Sequence, residues 1–158
     1  MYKISVFLFV GCLMVTSLLA QKVKVVDAEK QPWSGGVAGR HGNNYNITLQ
    51  FSGCKDALPV GDTLWIEQDC IVLHDDASAG VAYTIKRSGS KAVMSIHANV
   101  VHFDNDRVRK QLGGKEPVKT DPPFKYSGAG LLSYTWKGQK KYYTIKQFTK
   151  TQPPVAYP

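Results

Sequence analysis

Strict alternation of apolar and polar residues is the feature that most restricts what this chain can fold into. Tyr45, Ile47, Leu49 and Phe51 alternate with Asn44, Asn46, Thr48 and Gln50. Successive side chains of a β-strand point to opposite faces, so this segment reads as a strand with one dry and one wet face. The same period of two recurs in Lys22–Val26 and in Thr63–Glu67, where Leu64 and Ile66 oppose Trp65. Cys70–Leu73 is a short apolar strand. No segment carries a long helical stripe.

Two hairpins are expected. Val81, Tyr83 and Ile85 lead into a turn at Ser88-Gly89 and return through Lys91–Ala98. This turn sets Ile85 opposite Ala92, Tyr83 opposite Met94 and Val81 opposite Ile96. Leu131–Lys137 turns at Gly138-Gln139 and returns through Lys140–Phe148, which sets Leu132 against Ile145 and Tyr134 against Tyr143. Glycine at the first central position suits a type II′ turn.

Two segments resist a strand assignment. Gln31–Asn44 is rich in glycine and polar residues, and Phe103–Ser127 is a long connection in which Asp104 caps a short helix. Thr151–Pro158 carries three prolines and is expected to run along the surface or fray. Seven or eight short strands and no long helix imply an all-β fold, a single antiparallel β-sandwich over residues 21–158. The chain resembles an immunoglobulin-like domain in size and strand count alone, and the cysteine spacing is too short for the inter-sheet bridge of antibody domains. A small barrel is the alternative, because strand count does not decide closure.

Lys3 followed by the uncharged, apolar run Ile4–Ala20 has the layout of a signal peptide, cleaved after Ala20. Retention as a membrane anchor and lipid attachment at Cys12 fit this pattern less well. The expectation is an exported protein, extracellular, periplasmic or envelope-associated, with no transmembrane segment once the leader is removed. Loss of Cys12 leaves Cys54 and Cys70, which an oxidising compartment is expected to pair as a disulfide.

The formal net charge is +8 and unevenly spread. Asp56, Asp62, Glu67, Asp69, Asp75 and Asp76 face only Lys55 between positions 54 and 78, whereas positions 122–158 hold six lysines and no acid. Lys137, Lys140 and Lys141 of the last hairpin form a candidate surface for anionic partners. Protection of an edge strand explains the same lysines more simply. Export argues against nucleic acid as a partner.

Trp33, Arg40, His41 and Tyr45 border the glycines of the 31–44 segment and are candidates to stack on a sugar or grip an anion. The plainer expectation is that Trp33 plugs one end of the sandwich. His102, Asp104 and Asp106 are candidate metal ligands, although solvated carboxylates in an Asx-type turn are the more ordinary explanation. No cofactor is implied. His74, Asp75, His97, His102 and Asp104 are the acid/base groups a small secreted hydrolase would have to assemble, and no catalytic motif joins them. Asn46-Ile47-Thr48 is an N-glycosylation sequon on the wet face of its strand. The leading expectation is a non-enzymatic binding module for a glycan or an envelope protein. The alternative is an assembly subunit that pairs through its C-terminal hairpin.

Overall fold

A computed structural model describes residues 22–36, 39–73, 80–114 and 120–158. The leader at 1–20 and the His74-Asp75-Asp76 group lie outside the described residues. The alternating segments form β1 (Val23–Gly35), β2 (Arg40–Ser52), β3 (Val60–Ile66), β4 (Asp69–Val72), β5 (Val81–Ser88) and β6 (Lys91–Phe103). After a short helix α1 (Asp106–Gln111) come β7 (Gly130–Trp136), β8 (Gln139–Ile145), β9 (Lys150–Thr151) and β10 (Val155–Tyr157). The first sheet runs β10-β1-β2-β6-β5, with β9 also on β1, and the second runs β4-β3-β7-β8. They pack face to face as an all-β sandwich, and no closed barrel forms among the described residues.

The dry faces meet in one core. Tyr45, Ile47, Leu49 and Phe51 of β2 and Met94, Ile96 and Ala98 of β6 face Leu64 and Ile66 of β3 and Leu132 and Tyr134 of β7. Phe51 meets Tyr134 edge to face across the two layers, with ring centroids 5.2 Å apart. A buried Phe-to-Ala truncation in such a place costs about 3–5 kcal/mol.

The glycine-rich segment continues both strands it was expected to interrupt. β1 extends to Gly35 and β2 starts at Arg40, with Trp33 opposite Gly42. Both hairpins form, each with its register two residues from the expected one. Ser88 pairs with Lys91, so the first turn is Gly89-Ser90 and Ile85 faces Met94. Trp136 pairs with Gln139, so the second turn is Lys137-Gly138 and Leu132 faces Tyr143. Positive φ at both Lys137 and Gly138 is the type I′ pattern, which needs no glycine at its first central position. Sliding a turn by one position shifts the pairing by two and keeps every side chain on its face, so the hydrophobic pattern does not exclude the wrong register. The helix is capped by Asn105, whose side chain accepts from the Val108 amide at 3.0 Å, one residue beyond the expected cap.

The expected disulfide does not form. The Cys54 side chain is in the core, on the inner side of the sandwich. Cys70 is opposite Trp65, and the neighbouring pair Leu64–Ile71 points into the core, so Cys70 faces outward from the second sheet. A bridge needs Cα atoms about 4.4–6.8 Å apart with converging Cβ vectors, which opposite faces of a sheet deny. The loop length of the pair carried no information about which face each thiol takes.

The tail does not fray. Thr149 seals a bulge in β1, accepting from the Ala28 amide at 3.0 Å and donating to Asp27 at 2.8 Å. β9 and β10 then lie parallel to β1. The segregated charges meet in space: Lys140 pairs with Asp62 at 2.6 Å and Lys137 with Asp56 at 3.8 Å. No helix among the described residues is long and apolar enough to cross a membrane.

Candidate binding site on the outer face of the first sheet

Strand alternation divides the four candidates of the 31–44 segment into two groups. Tyr45 and His41 share the parity of the inward residues of β2, whereas Arg40 shares that of Gly42, the cross-strand partner of Trp33. Tyr45 is a core residue, stacked on Phe148. Burial first, and then the carboxylates of Glu67 and Asp69, push its phenol well above the usual range. His41 stacks on His102 and pairs with Asp104 at 3.3 Å. Trp33 is only 7% exposed, yet it belongs to the outer face and does not plug the sandwich.

Trp33 and Arg40 line one pocket of about 480 Å³. Register assembles it from four strands. Gly42 pairs with Val101, and Asn99 is two residues before Val101 on the same face of β6. Tyr157 of β10 is opposite Gly35, two residues beyond Trp33. Its ring meets Trp33 edge to face at 6.2 Å. Glycine is required at two positions. A Cβ on Gly42 would fall 2.8 Å from the Trp33 ring, and one on Gly35 would fall 2.0 Å from the Tyr157 carbonyl oxygen. Gly35 also has φ +113, a region that L side chains rarely adopt.

The polar atoms of this pocket are unusual. Trp33 Nε1 and Arg40 Nε are buried without a hydrogen-bond partner among the described residues. A buried unsatisfied donor costs about 1–3 kcal/mol, and more when charged. No aspartate or glutamate is among the described residues lining the pocket.

A larger cleft of about 730 Å³ lies where the 120–129 connection meets the second sheet. Several of its polar groups are paired. Trp65 Nε1 donates to the Thr120 carbonyl at 2.8 Å, Tyr126 donates to the Trp65 carbonyl, and Glu67 pairs with Lys30. Asp69 is paired with His102 at 3.4 Å; burial pushes its carboxyl up and His102 opposes that shift. Size favours this cleft, whereas two buried, partnerless donors belong to residues lining the smaller pocket and call for an explanation there. The third such atom among the described residues, the Tyr45 hydroxyl, lies in the core near Glu67 and Asp69.

Of the remaining candidates, His102 and Asp104 gather around His41, but as paired groups. His102, Asp104 and Asp106 each have a separate partner, namely Asp69, His41 and Arg109. No group of three potential ligands that could hold a metal occurs among the described residues. His97 is on the outer face beside Asn46, away from His102. Lys137 and Lys141 lie over the Trp136 ring, and Lys140 is held by Asp62 on the edge strand β8. Sequence reasoning missed Asn99 and Tyr157, which reach the pocket only through sheet order. The Val155-Ala156-Tyr157 alternation after two prolines is the one local signal that could have marked β10. Comparison with protein-family models, with curated proteins and with solved structures found no match.

Proposed function

We propose that this protein is an exported, non-enzymatic binding module whose ligand seats in the pocket formed by Trp33, Arg40, Asn99 and Tyr157. The observation that carries this reading is the pair of buried, partnerless donors, Trp33 Nε1 and Arg40 Nε, on one pocket. A volume of about 480 Å³ suits a small organic group or a terminal unit of a larger one, since ligand pockets span about 300–1,000 Å³. Aromatic walls with few, placed polar groups support the same reading. Export rests on the leader-like segment Lys3–Ala20.

A glycan array and an envelope pull-down, each run with the mature chain and with Arg40→Gln, test the proposal. The expected result is a retained ligand that Arg40→Gln loses while its melting temperature holds. Equal retention by the variant would move the function away from this pocket.

A further inference from the structure

We propose that the group recognised in this pocket is a carboxylate carried on a sugar ring, so that the ligand is an acidic saccharide. This rests on the pocket being the binding site. Two N–H donors without partners call for acceptors, and the part-buried guanidinium of Arg40 has no acidic partner among the described lining residues, so an anion matches it best. A neutral hydroxyl answers the indole N–H and leaves the cation unmatched. A carboxylate supplies two oxygens in one plane, one for Trp33 Nε1 and one for the guanidinium edge, which presents its donors as a planar fork.

The rest of the wall fits a sugar rather than a peptide. Tyr157 is 48% exposed and offers a ring against which the C–H face of a pyranose packs. Asn99 is exposed beside it and can meet ring hydroxyls. A peptide commonly binds by adding a strand to an open sheet edge. Here β1 is already paired on both sides, by β2 and by β9 and β10, and the open edge beside the pocket is β10, whose three residues offer a peptide only a short ladder.

Titration calorimetry with the mature chain tests this, using an oligouronate, its methyl ester, a neutral oligosaccharide of equal length and a short peptide with a free C-terminus. The oligouronate is expected to bind. Esterification, Trp33→Phe and Arg40→Gln should each weaken it roughly ten- to a hundredfold, the loss of a hydrogen bond to a charged group. Lys146→Gln removes the same charge from an exposed site one residue beyond the end of β8 and should leave affinity unchanged. Equal affinity for the ester or the neutral sugar overturns the carboxylate while leaving the pocket in place. Binding of the peptide alone overturns the saccharide. Oligouronate binding that ignores both pocket variants, or falls equally with Lys146→Gln, overturns the proposal and assigns the effect to general basic charge. No binding by any probe overturns the acidic saccharide, and the unbiased array then decides the pocket separately.

Discussion

Arg40 holds a partly buried cation whose Nε has no hydrogen-bond partner among the described residues, a cost to folding without visible return in the apo chain. In the proposed reading, ligand binding offsets that cost. Arg40→Leu is therefore expected to leave stability unchanged or raise it, by up to about 1–3 kcal/mol, while abolishing ligand capture. Denaturant titration beside a binding assay checks both halves, and a large destabilisation would assign Arg40 a structural role. Gly35→Ala should undock β10, because a methyl there meets the Tyr157 carbonyl and φ is +113. Limited proteolysis should then release the tail beyond Gln152 faster than from the parent. The two thiols make a third expectation. With Cys54 in the core and Cys70 outside the second sheet, alkylation after denaturation without reductant should add two labels to the mature chain, with no third from Cys12. A mass showing none would restore the disulfide.

Hairpins illustrate what a pattern decides at the level of elements. The alternation in Val81–Ser88 and Lys91–Ala98 identifies two strands and their inner faces, and both are as expected. Register needs the turn, and the choice between Ser88-Gly89 and Gly89-Ser90 rests on backbone dihedrals that composition does not specify. The β3–β7 pair adds a bulge at Asp62, between Gly61 and Thr63. That extra residue aims its carboxylate at Lys140 and accepts from Ser133 at 3.1 Å. Lys140 first, and Ser133 after it, hold the Asp62 carboxyl below its ordinary value of 3.8, and Asp62 in turn raises Lys140. The stabilising effect of a lowered carboxyl is present above that ordinary value and is lost as pH falls through the folded value; that of the raised amine is present below its ordinary value and is lost as pH rises through the folded one. Asp62→Asn should therefore flatten both the acid and the alkaline limbs of a melting-temperature profile. The effect should shrink in salt, since the pair is half-exposed.

At the scale of the whole molecule, the tail completes both a sheet and the wall of the proposed binding pocket. No residue of β9 or β10 is in the core, so a chain ending at Gln152 should keep its strand spectrum and cooperative unfolding. It should lose the ligand with Tyr157. It should also self-associate, because β1 then exposes an unpaired edge. Circular dichroism and gel filtration across concentrations report the two effects; a strictly monomeric truncation that still binds would remove the tail from the function. The sequence by itself determined an all-β chain and the inner faces of its central strands, because period-two burial is written residue by residue; sheet pairing decided the sandwich over a barrel. It also marked Trp33 and Arg40 through the glycines around them. It did not separate them from His41 and Tyr45, nor join them to Asn99 and Tyr157. Strand parity and sheet order decide those neighbours, and both follow from pairing between residues as far apart as Trp33 and Val155. The two cysteines show the same limit, since their separation along the chain is short and the second sheet stands between them.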